Sequence, residues 1–267
     1  MANKKVAFVT GAGGYIGSET ARQLAAAGYA IAAFDINAET AQKIADEIVA
    51  AGGTARAYAI DVTNSDNVNE AFGKAYDDLG GIYAMIHVAG GSARIAGKGT
   101  EYRLLHEQEV RVIKTVIDVN LMGAIYTDRA AINLMLKMKP EKVEGRERQP
   151  HRGKIIDFSS VVGVNGLAWC TEYAAAKAGV LGLVKSLAKE VGQYKINVNS
   201  VAPGVVSRPA EGNSDAYECK TNFLGEKCLA SDVAALVKFL VSEEADFITG
   251  QTYIVDGGRS LAMKGTD

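Results

Sequence analysis

Cysteine is scarce: only Cys170, Cys219 and Cys228 occur in 267 residues. The count is odd and no Cys-x-x-Cys pair exists, so neither a disulfide framework nor a zinc site is expected, and no other metal site is read. A surplus of charge of one sign is also missing, since 29 Lys and Arg stand against 31 Asp and Glu for a net charge of −2. Without a basic excess there is no electrostatic footprint for nucleic acid. No apolar run approaches the ~18–20 residues that cross a bilayer, so a membrane partner is not expected either. Met-Ala-Asn-Lys-Lys leads straight into a strand-like run, which argues against a signal peptide and for a cytoplasmic location. The chain is 48% hydrophobic and 22% charged, close to the ~45–50% and ~25% of ordinary globular domains, so disorder is excluded.

What is present is an alternation of short apolar runs and helix-length segments. Strands are expected at Val6–Thr10, Ala30–Phe34, Ala55–Ile60, Ile82–Val88, Lys154–Phe158, Ile196–Val201 and Thr252–Val255. Helices are expected at Tyr15–Ala27, from the Asn37 cap to Ala51, Val68–Leu79, Glu101–Asn120, Leu121–Met138, Thr171–Gly192 and Asp232–Val241. Thr63 and Asp66 have capping-box spacing ahead of the third helix. Seven strands joined by helical crossovers imply one α/β domain over residues 1–267, a doubly wound parallel sheet with helices on both faces. Two segments interrupt the alternation. Lys137–Arg152 is dense in charge and holds two of the four prolines, and it reads as a solvated surface insertion. Arg208–Leu229 lacks periodicity and follows a strand end, where loops of such sheets cover ligands, so it is read as a substrate loop.

Gly11-Ala12-Gly13-Gly14-Tyr15-Ile16-Gly17 lies between the first strand and the first helix. Glycines there let the backbone turn tightly and approach a pyrophosphate that the helix N-terminus stabilises. Asp35 ends the second strand, where a carboxylate can accept hydrogen bonds from a ribose diol. It would repel a 2′-phosphate, and no Lys or Arg is adjacent, so NAD is expected rather than NADP. Asp61-Val62 either meets the adenine or, for Asp61, caps the next helix.

Tyr173 and Lys177 stand four residues apart in a helical segment and share a face. A free tyrosine, with pKa ~10, is a poor base at neutral pH; a neighbouring ammonium would lower it. Ser160 ends the fifth strand and could hydrogen-bond the same substrate oxygen. With Thr10-Gly11 to Gly17, Asp35, Asp61-Val62, Ala89-Gly90, Asn120, Ser159-Ser160, Asn199 to Pro203-Gly204 and Asp256-Gly257-Gly258, the sequence resembles the short-chain dehydrogenase/reductase family, classical subfamily, over essentially the whole chain. The resemblance implies a Rossmann-type fold with Tyr173 as general acid/base and Ser160 polarising the substrate oxygen. It gives Lys177 the nicotinamide ribose and Asn120 a proton relay, although Asn120 also reads as a helix cap. Cofactor contacts are implied for Gly11, Gly14, Tyr15, Ile16, Gly17, Asp35, Ile36, Asp61, Val62, Ala89, Gly90, Tyr173, Lys177, Pro203, Gly204 and Val206. A homotetramer is implied on the long helices after Glu101 and Thr171 and on the C-terminal strand.

Three departures from the family pattern stand out. Tyr15 replaces a glycine, which gives the Gly11, Gly14, Gly17 spacing of the extended subfamily. His87-Val88-Ala89-Gly90 replaces Asn-Asn-Ala-Gly, and His87 is read as structural. Arg208, beside Ser207, stands where a threonine is usual. The expected reaction is NAD-dependent interconversion of a secondary alcohol and a ketone. Substrate contacts fall to Ser160, Tyr173 and Trp169, with Arg94, Cys170 and the 208–229 loop around them. Trp169 and Leu167 point to a bulky alicyclic or hydroxysteroid-like substrate, although Trp169 reads equally as packing or a subunit contact. A carbonyl reductase of acyl thioesters or sugars is the rival within enzymes, and a non-catalytic nicotinamide-binding protein the rival outside them.

Overall fold

The computed structural model describes residues 5–97, 101–140, 144–145, 147, 149–208 and 220–261. Seven strands form one sheet: β1 Val6–Thr10, β2 Ala30–Asp35, β3 Thr54–Ala59, β4 Ala84–His87, β5 Gly153–Phe158, β6 Ile196–Pro203 and β7 Thr252–Val255. Their order is β3-β2-β1-β4-β5-β6-β7, and every neighbouring pair is parallel. Parallel strands need helical crossovers, which bury both faces, so the central strands read as continuous apolar runs. The two faces still sort by alternation. Val6 and Phe8 of β1 and Ala32 and Phe34 of β2 point into one core. Ala7, Val9, Ile31 and Ala33 point into the other.

The first core lies under α3 (Ser65–Leu79), α5 (Gly123–Met135) and α7 (Thr171–Val191); the second lies under α1 (Tyr15–Ala26), α2 (Ala38–Ala50) and the last helix, Ala230–Val241. Phe8, Phe34 and Phe72 anchor the first core with ring centroids 4.8–5.2 Å apart. Burying each ring contributes roughly 1.5–3 kcal/mol, and their tilted and edge-on contacts add to it. Asn37 caps α2 as expected, its Oδ1 accepting from the Glu39 and Thr40 N–H groups.

Two helices start elsewhere than their sequence implies. Asn64, not Thr63, caps α3 by accepting from the Asp66 and Asn67 N–H groups. Thr63 instead donates through its hydroxyl to Asp61 Oδ1, so no capping box forms. The helix expected from Glu101 begins at Val110 as α4 (Val110–Ile117), after a short 3₁₀ turn at Leu105–Glu107. Gln108 and Glu109 are extended there, and the Glu109 N–H is taken by the Gln108 side chain. No break separates Asn120 from Leu121: a π-helical turn, Asp118–Met122, carries α4 directly into α5. A short helix that periodicity missed, α6 (Val161–Asn165), follows β5. The last helix, Ala230–Val241, becomes α8.

The strand order reverses between β1 and β4, which leaves a crevice beyond the carboxyl ends of these strands. Part of the charged 137–152 segment and residues 209–219 of the expected substrate loop lie outside the described residues.

Candidate active site

Two adjoining cavities occupy that crevice. One, of about 360 Å³, is lined by Gly11, Gly14, Tyr15, Ile16, Gly17, Asp35, Ile36, Asp61, Val62, Ala89 and Gly90, with Ile60, Val88, Ile95, Val119 and Arg208. The second, of about 190 Å³, is lined by Ser160, Tyr173, Lys177, Pro203, Gly204 and Val206, among others. Tyr15, Ile16, Val88, Gly90 and Arg208 line both, so the two form one continuous groove.

The wall of the first cavity has the form a pyrophosphate requires. Gly11 adopts φ +63°, and a Cβ there would sit 2.9 Å from the Ala89 nitrogen, so only glycine lets the β1 turn pass so close to the end of β4. The Gly14 N–H bonds back to the Gly11 carbonyl at 3.0 Å, and α1 starts at Tyr15 with no side-chain cap. Its first N–H groups are thus left for a ligand anion. Asp35 accepts from the Gly13 N–H at 2.9 Å and from the Asn37 N–H at 3.0 Å. These bonds fix its carboxylate at the cavity wall, and lone pairs remain for a diol. Ile36 lines the same end and is 76% exposed.

The second cavity holds the proton-handling groups. Ser160 caps α6: its oxygen accepts from the Val162 N–H at 3.2 Å, which leaves its own proton free to donate. Gly163 brings α6 against α7, for a Cβ there would lie 2.6 Å from the Lys177 carbonyl carbon. Tyr173 and Lys177 share the buried face of α7, with the Lys177 Nζ 5.7 Å from the Tyr173 ring centre. Burial pushes the Tyr173 phenol up to about 12, and the Ser160 hydrogen bond and Arg208 oppose it. This corrects the expectation that a neighbouring ammonium leaves the phenol below its ordinary value: desolvation outweighs the charges around it. Burial also brings Lys177 down to about 8, with Asp157 pulling the other way. Its Nζ donates to the Phe158 carbonyl at 2.7 Å.

Asn120 is buried in the π turn, a feature that often marks functional positions. It does not cap a helix. Its amide donates to the Val116 and Gly91 carbonyls at 2.8 Å each, and its Oδ1 accepts from the Gly91 N–H at 2.9 Å. Asn120 thereby staples the segment after β4 to the α4–α5 helix. His87 is enclosed, within 3.3 Å of the Thr10 hydroxyl and 3.0 Å of the Thr127 hydroxyl. Burial, helped by Lys177, holds its pKa near 3, so it is neutral at physiological pH. Asp61 turns the chain by accepting from Thr63 while also lining the first cavity.

The substrate-side residues are not all brought together. Trp169 is 57% exposed and lines neither cavity. Arg94 lies over the Tyr102 ring, 5.8 Å from its centre, and Cys170 is buried. Arg208, read from the sequence only as a departure, reaches both cavities. Among the described residues no group of His, Cys, Asp and Glu could hold a metal ion, and no helix is long and apolar enough to cross a membrane.

A seven-stranded Rossmann-like sheet with a glycine-rich turn, an acidic β2 end and a Ser–Tyr–Lys cluster defines an α/β oxidoreductase of the nucleotide-cofactor class. The short chain dehydrogenase family model matches residues 5–218, and this chain belongs to the short-chain dehydrogenase/reductase family. It is therefore an oxidoreductase acting on CH–OH or carbonyl groups with a nicotinamide cofactor, NAD(P). It is 35% identical over 256 residues to a cyclohexanol dehydrogenase of Acinetobacter sp. strain SE19, covering 96% of this chain and 94% of that one. A 3-oxoacyl-(acyl-carrier-protein) reductase of Synechocystis sp. is also 35% identical, over 257 residues, covering 95% and 96%. The crystal structure of a dehydrogenase/reductase from Sinorhizobium meliloti 1021 superposes with a TM-score of 0.82 at 29% identity, covering 96% of this chain and 94% of that one.

Proposed function

We propose that this protein is an NAD-dependent dehydrogenase that interconverts a secondary alcohol and a ketone, with Tyr173 as general acid/base. The observation that carries the reading is the second cavity, where Ser160, Tyr173 and Lys177 line one small space beside the glycine-rich groove. The glycine turn, Asp35-Ile36, Asp61-Val62 and Ala89-Gly90 would hold the adenosine and pyrophosphate. Lys177, Pro203, Gly204 and Val206 would hold the nicotinamide end. When bound, the cofactor supplies the hydride acceptor for oxidation and the donor for reduction.

The chain's own groups handle the proton and the oxygen. Ser160, with its oxygen engaged by the Val162 N–H, points its proton to the substrate oxygen and orients it. Tyr173 Oη gives its proton to a ketone oxygen in reduction and takes the hydroxyl proton in oxidation. With a pKa raised to about 12, the phenol is protonated at neutral pH and meets a carbonyl as an acid. Ser160 and Arg208 are the groups that ease its ionisation in the opposite direction. Lys177 holds the ribose, with its Nζ 5.7 Å from the Tyr173 ring centre. Asn120 fixes the segment after β4 and would hold a water in the proton relay that reaches Lys177.

Asp35 favours NAD, since a 2′-phosphate beside a fixed carboxylate would be repelled. A cyclic secondary alcohol agrees with the cyclohexanol dehydrogenase relative and with a bulky alicyclic substrate, Trp169 being its outer contact. The chain would act as one domain, in the cytoplasm, as a homotetramer. A second reading, reduction of 3-oxoacyl thioesters, is favoured by the Synechocystis relative. Absorbance assays with NAD and NADP against cyclic alcohols, steroids, polyols and 3-oxoacyl thioesters separate the two. Turnover of a cyclic alcohol with NAD alone supports the first reading, whereas NADPH-dependent thioester reduction replaces it with the second.

A further inference from the structure

Behind Lys177 lies a polar row that the reaction does not use. Thr10, His87, Asp157, Ser200 and Thr252 are register neighbours across β1, β4, β5, β6 and β7. Alternation turns Thr10, His87, Asp157 and Ser200 to the face covered by α5 and α7. Part of the row, His87 Nε2 apart, satisfies itself: Thr10 contacts His87, and Ser200 contacts Thr252 at 2.7 Å. Asp157 does not. Its carboxyl is fully buried against that of Asp128 on α5, and none of the four oxygens has another hydrogen-bond partner.

Two ionised carboxylates in contact, away from water and without donors, repel each other strongly. One shared proton removes the repulsion and supplies the missing donor. The groups beside the pair are Lys177 on α7, and His87 on β4 and Ser200 on β6, the register neighbours of Asp157. Of these, only Lys177 carries charge at neutral pH. On its outer side Asp128 reaches a groove of about 590 Å³ between α5 and α7 that Arg129 and Glu190 also line.

We propose that Asp128 and Asp157 share one proton, and that the single negative charge left on the pair keeps Lys177 an ammonium behind Tyr173. The pair is then a positioning device that acts through Lys177, and this second half rests on the oxidoreductase reading above. Desolvation works in the direction the geometry requires, raising both carboxyls, while Asp157 raises Lys177. From sequence, the only trace is an aspartate directly after the apolar pair Ile155-Ile156 of β5.

Infrared difference spectra test the shared proton on the protein alone. At neutral pH the native chain should show a protonated carboxyl stretch that both Asp128→Asn and Asp157→Asn abolish. In either variant the amide supplies the donor and the remaining aspartate ionises. A spectrum without such a band, or one that neither substitution alters, overturns the pair. NADH fluorescence titrated across neutral and alkaline pH tests the hold on Lys177. In Asp128→Asn, which leaves the charge on Asp157, the alkaline loss of affinity should stay in place. In the double asparagine variant it should move down by roughly 1–3 units, the range for losing an adjacent opposite charge. An unmoved profile in a folded double variant refutes the hold on Lys177. Absence of NADH binding in the native protein would count against the oxidoreductase reading, and the infrared result would still decide the pair.

Discussion

Lys177→Met should change the pH dependence of this protein's stability by a calculable amount. Lys177 is buried and its pKa falls from 10.5 to about 8. A lysine depressed in the folded state destabilises it wherever the ammonium persists. Below about 8 the folded protein pays that full cost; between about 8 and 10.5 the unfolded chain binds more protons, so stability rises with pH and the cost disappears. At ~1.4 kcal/mol per unit, the depression amounts to about 3 kcal/mol. Replacing Lys177 by Met removes this contribution and strands the Phe158 carbonyl, a loss of roughly 1–3 kcal/mol that does not vary with pH. The pH-dependent difference is therefore the cleaner quantity. Urea unfolding of both proteins at a series of pH values should show native stability gaining about 3 kcal/mol on the variant between neutrality and pH ~10.5. Parallel stability curves over that range would show that Lys177 is not a desolvated cation, and the electrostatic reading of the site would fail with it.

Two further substitutions test the framework around the site. Lys154 on β5 and Asp246 form a 2.7 Å ion pair with exposures of 0% and 3%; Asp246→Ala should cost about 3–5 kcal/mol by leaving a buried unpaired cation. Thermal melts should show a fall of roughly 6–20 °C at ~2–4 °C per kcal/mol, and adding Lys154→Met should recover most of it. Gly163→Ala places a methyl against the Lys177 backbone, so α6 and Ser160 must shift. Turnover should drop by about 10²-fold, the effect of a misplacement near 1 Å, while NADH affinity holds; unchanged turnover would mean that Ser160 does not depend on that contact.

The sheet was legible because a strand buried on both faces leaves an apolar run whose end is marked by Gly, Asp or Ser. Val6–Thr10, Ala30–Asp35 and Lys154–Phe158 all carry that mark. The glycine turn, Asp35, Ser160, Tyr173 and Lys177 were legible for a related reason: each sits at a strand end or at helical spacing, so local pattern implies proximity. What failed were choices among equivalent polar residues. Thr63, Asn64 and Asp66 can all cap a helix, and only the backbone path selects Asn64. The π turn at Asn120 has no periodicity of its own, so the sequence suggested a break where the helix continues. The Asp128–Asp157 contact joins residues 29 positions apart, on α5 and β5, and no local rule pairs them. At Tyr173, spacing reveals a nearby cation but not how deeply the ring is buried, so the raised phenol has no local sign in the sequence.

The central claim is that Tyr173 carries the proton. The direct test is Tyr173→Phe, measured by NADH formation from a cyclic secondary alcohol alongside NADH binding by fluorescence. The expected result is a loss of turnover of about 10²–10⁴-fold, the contribution of a positioned acid/base, with cofactor affinity within a few-fold of native. Turnover within a few-fold of native would place the proton on another group and contradict the account.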